Sequence, residues 1–193
     1  MAIPVTPDEL KELDPRIRRT RKLLQDSLAK LMKEKEFDKI SIGDIAEEST
    51  LNRATFYDHY PDKFALLECL VASQFQQLIA ERNICFNSCE GALKSIGMGV
   101  CYYLAENIKP GAEGQRRANS PMETAIAAVV RRMLLDGIGH YPPKPGVAPE
   151  VLASTVAWAI YGAAKEWVQT HDRPPVSEIG DTIEKLAKAI LLA

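Results

Sequence analysis

The chain has 193 residues, of which 46% are hydrophobic and 26% charged, with a formal net charge of −2. These values are typical of a folded globular protein and exclude wholesale disorder. The small negative charge also excludes a protein that coats nucleic acid through bulk positive charge. Any DNA contact must therefore come from a local basic patch.

The sequence predicts a cytoplasmic protein with reduced thiols. The first ten residues lack the apolar core of a signal peptide, and no apolar run reaches the roughly 18 residues of a membrane helix. The four cysteines, Cys69, Cys85, Cys89 and Cys101, form no C-x-x-C pair. Cys85 and Cys89 lie one helical turn apart, so oxidant or metal sensing is an alternative. Inert thiols are favoured because no basic cluster activates them.

Residues 1–13 show no clear period and are expected to form a loose arm before the first helix. Asp14 can cap that helix and Pro15 suits its first position. Apolar residues then follow at helical spacing to about Lys35. The first turns also carry a basic cluster: Arg16, Arg18, Arg19, Arg21 and Lys22. Positive charge at a helix N-terminus opposes the helix dipole, so the cluster does not serve helix stability. A phosphate-facing surface is favoured over a merely solvated face because of the segment that follows.

A second helix is predicted to begin at Ser41, with Asp44 completing a variant of the capping box. After about two turns, a polar segment ending at Asn52 caps a third, short helix that begins at Arg53. Phe56 and Tyr60, at i and i+4, are expected to face the core. The residues left outside are Arg53, Ala54, Thr55, Tyr57 and His59. This pattern is typical of a helix-turn-helix, in which the second helix presents its N-terminal side chains to DNA bases.

The segment from about Arg16 to Leu70 resembles the DNA-binding domain of TetR-type transcriptional repressors. The resemblance is carried by I-x-x-I-A at 42–46, by L-N-R-A-T-F-Y-D-H-Y at 51–60, and by the P-D-K-F-A-L-L that follows. It implies an all-α fold of about nine helices, and apolar residues at helical spacing along the chain also favour an all-α fold. Residues 1–62 would form the helix-turn-helix domain, and residues 63–193 a helical domain for effector binding and dimerisation.

The resemblance also implies individual roles at the DNA. Ser41 and Thr55 offer hydroxyls to phosphate, and Tyr57, His59 and Lys63 occupy positions that contact the DNA backbone. Arg53 is the residue expected to read a base, because a guanidinium pairs bidentately with guanine. Asn52 either caps the third helix or touches DNA, and capping is favoured. The predicted DNA-binding set is Ser41, Asn52, Arg53, Ala54, Thr55, Tyr57, His59 and Lys63, with Arg18 from the basic cluster.

Thr50 departs from the family pattern, which usually has glycine at this turn. A β-branched residue in the left-handed conformation costs about 1–2 kcal/mol. We therefore expect an adjusted turn, without a positive φ at Thr50.

Further helices are predicted along the rest of the chain. Asp62 caps one that runs to about Arg82, and another lies within 84–107, where Gly97 and Gly99 either weaken it or admit a close neighbour. Residues 109–119 are expected to form a loop. A helix starting at Ser120 should stop near Leu135, because Gly137 and Gly139 follow, and 140–149 should form a semi-rigid connection.

The last two helices, from Glu150 to about His171 and after the predicted cap Ser177, are rich in small and apolar residues. The resemblance implies a four-helix homodimer interface made by these helices. The alternative is that they bury their apolar faces within one chain. A dimer would also place two recognition helices about 34–36 Å apart, as successive major grooves require.

The middle helices are expected to enclose an effector pocket, although any single lining residue is more often plain core. The predicted ligand-binding residues are Phe75, Phe86, Met98, Tyr102, Met122, Trp158 and Tyr161, with Tyr103 and Met133 as further candidates. Their aromatic and thioether groups favour an apolar or aromatic ligand.

The predicted function is that of a ligand-responsive regulator, a repressor released from a palindromic double-stranded operator by a small molecule. The alternative is a helical-bundle binding protein or enzyme without DNA activity. That alternative is disfavoured because the sequence has no Glu-x-x-His pair, no phosphate-binding glycine loop and no nucleophile beside a base. We predict no catalytic residue, metal site, cofactor or membrane partner.

Overall fold

A computed structural model describes residues 14–84, 89–107, 120–138 and 146–192. These residues form eight α-helices, one 3-10 helix and no strand, which confirms the all-α prediction. The helices are α1 Pro15–Glu34, α2 Ile42–Glu48, α3 Arg53–His59, α4 Lys63–Glu81, α5 Cys89–Asn107, α6 Ser120–Ile138, α7 Pro149–Gln169 and α8 Val176–Leu192, with the 3-10 helix at Phe37–Lys39. In this described part of the chain, none of the helices combines the length and apolar character needed to cross a bilayer.

The described residues divide into two compact units. The first holds residues 14–74 and 120–125, and the second holds 75–84, 89–107, 126–138 and 146–192. Helices α4 and α6 therefore contribute residues to both units. The domain boundary predicted after residue 62 stays a prediction.

The first unit is built on α1, whose start follows the prediction. Asp14 accepts a hydrogen bond from the Arg16 amide at 2.7 Å, and Pro15 occupies the first turn. Helices α1, α2 and α3 pack on one another, and α4 joins α1 through a hydrogen bond from Ser73 to Gln25 at 3.1 Å. The side chains that fill this core are Leu24, Leu28, Ile40, Ile45, Phe56, Tyr60 and Leu66, all at most 1% exposed.

The second unit has α5, α7 and α8 packed on one another. Glycine makes the closest approach feasible, because a Cβ at Gly97 of α5 would lie 2.7 Å from Ile183 of α8. A Cβ at Gly180 of α8 would likewise lie 2.7 Å from Met98. Of the two expectations for Gly97, close approach of a neighbour is confirmed.

Three predicted element boundaries are wrong. Helix α6 continues through Gly137 to Ile138, because a single glycine costs about 1 kcal/mol and does not by itself end a helix. Ser177 lies inside α8, whose first turn is closed by the Glu178 amide donating to the Pro175 carbonyl at 3.0 Å. Pro149 begins α7 instead of ending the connection before it, as proline at a first helical turn can.

Several predictions fall on residues outside the described ranges. These are the arm at 1–13, the loop at 109–119, Gly139 and most of the connection at 140–149.

Candidate nucleic-acid interface

Helix α2 starts with the predicted capping box. The Asp44 amide donates to Ser41 Oγ at 3.1 Å, and the Ser41 amide donates to Asp44 Oδ2 at 2.7 Å. The two hydrogen bonds from Ser41, with Lys35 at 3.1 Å, hold the pKa of the Asp44 carboxyl at about 2. The Ser41 hydroxyl also donates to Asp44 at 2.8 Å. To donate to a phosphate, the Ser41 hydroxyl would therefore have to break its hydrogen bond to Asp44.

The turn after α2 contradicts the prediction for Thr50, whose φ is 56°. The Thr50 amide donates to the Glu47 carbonyl at 3.0 Å, and the Leu51 amide donates to the Ala46 carbonyl at 2.9 Å. This pair of bonds is the Schellman closure of a helix, which requires a left-handed residue at the position of Thr50. The turn keeps the family's expected geometry, and the β-branched residue carries the strain.

One side of α3 packs into the core, and its other side is exposed. Asn52 caps it by accepting from the Ala54 amide at 2.9 Å, as predicted. Phe56 and Tyr60 have no exposed surface, which confirms their core assignment. On the other side, Arg53 is exposed and has no hydrogen-bond or ion-pair partner among the described residues.

The remaining predicted contact residues of α3 differ in exposure. Ala54 is exposed, and Tyr57 keeps 52% of its surface accessible while its ring packs edge-on against Phe56. Thr55 and His59 are half-buried. Their predicted DNA contacts are untested and stay predictions.

Helix α1 presents only part of its basic cluster. Arg16, Arg18, Arg19 and Lys22 are exposed, but Arg21 is 6% exposed. The Arg21 guanidinium lies 5.3 Å from the centre of the Tyr60 ring, and its Nη2 donates to the His59 carbonyl at 3.5 Å.

Its position explains the burial, because Arg21 precedes the core residues Leu24 and Leu28 at helical spacing and so shares their face. The sequence contained this information, and assigning Arg21 to the exposed basic surface was wrong. The cation lies at the C-terminal end of α3, where a positive charge suits the helix dipole.

His59 is the last residue of α3, and its side chain is half-buried. Burial and the charge of Arg21 lower the pKa of its imidazole, and Asp58 opposes this effect. His59 is therefore mainly neutral at pH 7, and it can still donate one hydrogen bond from a ring nitrogen.

Lys63 opens α4 and is half-buried. Its ammonium donates to the backbone carbonyls of Phe37, Asp38 and Ile40 at 3.0, 3.1 and 2.9 Å. The predicted phosphate contact stays a prediction, but the group already has three partners inside the protein.

Several predicted effector residues contact other side chains of the second unit. Phe75 contacts the position of Gly99 and lies 6.4 Å from Tyr103, ring centre to ring centre. Tyr102 lies 4.4 Å beneath the Arg82 guanidinium. On α7, Trp158 is 47% exposed and meets the buried Tyr161 edge-on at 5.8 Å.

The other effector candidates are dispersed. Met98 packs over Gly180, Met133 is half-buried on α6, Met122 belongs to the first unit, and Phe86 lies outside the described residues. A depression of about 160 Å³ in the first unit is lined instead by Phe64, Leu67, Glu68, Pro121, Thr124 and Ala125. The effector-binding set is untested and stays a prediction.

Two of the four cysteines have described side chains. Cys69 and Cys101 are buried and form no disulfide among the described residues, and burial raises the pKa of Cys101 to about 12. No group of three potential ligands among the described residues could hold a metal ion. The Cys85 and Cys89 side chains lie outside the described set.

The helix-turn-helix segment is similar to known regulatory proteins. The profile described as "Bacterial regulatory proteins, tetR family" matches residues 25–70. The HTH-type transcriptional regulator YxbF of Bacillus subtilis (strain 168) is 35% identical over 105 residues. That match covers 54% of this chain and 28% of the length of YxbF.

Solved structures share the fold over most of the chain. Lin0861 from Listeria innocua aligns with a TM-score of 0.61 at 20% identity, covering 93% of this chain and 94% of its own. A TetR-family regulator from Streptomyces coelicolor aligns with a TM-score of 0.60 at 15% identity, covering 93% and 98%. At these identities the likeness establishes the fold alone.

Proposed function

We propose that this chain is a transcriptional regulator of the TetR family and that it binds double-stranded DNA in a sequence-specific manner through α2 and α3. The family and the relative are described as regulators of transcription, not as enzymes. One observation carries the proposal: α3 buries Phe56 and Tyr60 completely while Arg53, at its first turn, has no partner among the described residues. An exposed, unpaired guanidinium at the start of a braced short helix is suited to enter a major groove.

The roles of the side chains follow from their chemistry. Arg53 would pair with a guanine and specify the site, whereas Thr55, Tyr57 and His59 would bind the DNA backbone and fix the register. The exposed arginines of α1, including Arg18, would add phosphate contacts that do not depend on sequence.

Dimerisation through α7 and α8 is supported by exposed apolar side chains on both helices. On α7 the exposed residues Val151, Thr155, Trp158 and Gly162 recur at spacings of three and four, and on α8 Leu186 and Leu192 are 52% and 61% exposed. A tryptophan and two leucines at this exposure favour a protein partner. A second copy of the chain would supply it and would match a palindromic operator.

A small apolar or aromatic effector would regulate the dimer, and release from the operator is the direction we propose. The second unit supplies buried aromatic groups, among them Phe75 and Tyr161. Helix α4 is continuous from Lys63 in the first unit to residues of the second. A ligand could act along this helix only by binding one spacing of the recognition helices better than another.

The experiment that tests the function is fluorescence-anisotropy binding to duplexes from the DNA flanking the gene, at several salt concentrations. We expect one duplex to bind at least about 10³-fold tighter than a scrambled duplex of equal length. Affinity for both should fall steeply with salt, because phosphate contacts release counterions. Equal affinity for all duplexes, or no salt dependence, would reject sequence-specific DNA binding.

A further inference from the structure

Lys63 makes a set of contacts that the proposed DNA role does not use. Its ammonium donates to three backbone carbonyls, those of Phe37 at 3.0 Å, Asp38 at 3.1 Å and Ile40 at 2.9 Å. An ammonium group has three hydrogens. All three hydrogens can therefore be donated to carbonyls of the protein itself.

Two aromatic rings complete the surroundings of this ammonium. It lies 4.7 Å from the centre of the Phe37 ring and 5.8 Å from that of Phe64. The rings meet each other edge-on at 5.3 Å, and Phe37 is 5% exposed. Cation–π attraction from two ring faces adds to the hydrogen bonds and holds the side chain at this site.

The three carbonyls belong to the 3-10 helix Phe37–Lys39 and to the residue after it. The last carbonyls of a helix have few N–H donors along the chain, and a lysine can donate to them. The next residue, Ser41, is the N-cap of α2. The contact thus joins the segment that starts the helix-turn-helix to the first turn of α4.

We infer that Lys63 is a positioning residue, which fixes the start of α2, and through it the recognition helix, by clamping residues 37–40. This inference rests on the proposed DNA-binding function and replaces the direct phosphate contact expected from the sequence. Lys63 cannot donate to a phosphate without giving up a carbonyl that holds α2 in place.

The two roles respond differently to conservative substitution. A phosphate contact tolerates arginine, which also binds phosphate well. The clamp does not, because three convergent carbonyls suit a compact ammonium and a planar guanidinium directs its donors apart. A phosphate contact also contributes about 0.9 to the slope of log affinity against log salt, whereas a positioning residue contributes nothing.

The test compares Lys63→Met, Lys63→Arg and a matched control, Lys39→Met, in salt-dependent binding to the preferred duplex. Lys39 belongs to the clamped segment, carries the same charge and is 70% exposed beside Glu36. We expect both Lys63 variants to lose about tenfold or more in affinity, as loosened support of a binding site does, with the wild-type salt slope. Lys39→Met should stay within about twofold of wild type, since one exposed surface charge contributes little.

The inference is overturned if Lys63→Arg binds as tightly as wild type, or if the slope for Lys63→Met falls by about one. Circular dichroism checks that each variant is folded. Should a variant not fold, the ¹⁵N–¹H resonance of the Lys63 ammonium in the wild-type protein decides. No change on adding duplex supports the clamp, and a large shift overturns it.

Failure of the proposed function gives a different result, in which the wild-type protein binds no duplex preferentially. The ammonium resonance of the free protein would then still test the clamp. Slow hydrogen exchange at that group supports the three hydrogen bonds, and exchange at the rate of a solvated lysine overturns them.

Discussion

Thr50 is the residue of the helix-turn-helix that carries backbone strain. Its left-handed backbone closes α2 through two hydrogen bonds, and its own hydroxyl donates only to the adjacent Ser49 carbonyl at 2.7 Å. The geometry of the turn is thus retained although the residue is poorly suited to it. Tertiary packing of α2 and α3 stabilises the turn by more than the strain costs.

Replacing Thr50 with glycine should therefore stabilise the protein. Relief of the left-handed strain contributes about 1–2 kcal/mol, and the extra backbone freedom of glycine in the unfolded chain removes about 0.5–1 kcal/mol. We expect Thr50→Gly to raise the free energy of unfolding by up to about 1.5 kcal/mol in urea titrations. Thr50→Ala keeps a Cβ in the same conformation and should give no comparable gain. A less stable glycine variant would show that Thr50 is not strained.

Hydrogen bonds between residues close in the sequence were predictable, and hydrogen bonds between residues far apart in the sequence were not. The caps at Asp14, Ser41 and Asn52 involve groups two or three positions apart, so side-chain type and order are sufficient to predict them. Lys63, in contrast, contacts carbonyls 23 to 26 positions away, which no local pattern specifies. Arg21 lies between these cases, because its spacing from Leu24 indicated burial but its charge indicated exposure.

At the scale of elements, α5 and α8 owe their close packing to glycine. The space beside Gly97 is occupied by the Ile183 side chain, and the space beside Gly180 by Met98. Each glycine thus faces a large side chain of the opposite helix. Such reciprocal contacts fix the register of the two helices.

Gly97→Ala should destabilise the protein by about 1–2 kcal/mol. The new methyl group would lie 2.7 Å from Ile183, and overpacking costs more than the roughly 1 kcal/mol that alanine contributes to helix stability. Gly137→Ala is the matched control, since it lies in α6 with no atom within 4 Å of the added group. Urea unfolding at one protein concentration should show Gly137→Ala more stable than wild type and Gly97→Ala less stable. The same sign for both would contradict the packing argument.

Helix existence was predictable from apolar spacing, whereas helix ends were less so. The predicted stop at Gly137 failed because helix hydrogen bonding outweighs the cost of one glycine, and the cap at Ser177 failed because the Pro175 carbonyl closes the first turn of α8.

The effector residues show the limit of composition. In the described second unit Phe75 lies near Tyr103 and Trp158 packs against Tyr161, and composition does not distinguish such a core from a pocket.

At the scale of the whole molecule, the proposed dimer explains why α7 and α8 expose apolar groups. Trp158 is 47% exposed and Leu186 is 52% exposed, so changing them removes little intrachain packing. The family resemblance implies this interface, and the exposure of two large apolar side chains supports it independently.

Charge on this face should therefore dissociate the dimer without unfolding the chain. We expect Trp158→Lys combined with Leu186→Lys to give monomers in size-exclusion chromatography with light scattering, because each lysine of the interface must be desolvated. Affinity for a two-half-site duplex should fall at least about 10²-fold, since each monomer then binds alone. Gln77→Lys adds one lysine at an exposed position of α4 and should leave the dimer intact. Unchanged light scattering for the double variant would place the interface elsewhere.

Recognition of the operator is proposed to depend most on Arg53, and the decisive measurement is the affinity of wild type and Arg53→Ala for the preferred duplex and for each of its single-base variants. We predict that one guanine accounts for about 1–3 kcal/mol of wild-type discrimination. Arg53→Ala should lose that discrimination at that base alone. Tyr57→Phe, the control at the same helix, should weaken binding to all duplexes equally. If Arg53→Ala retained both the affinity and the base preference of wild type, α3 would not read DNA in the way proposed.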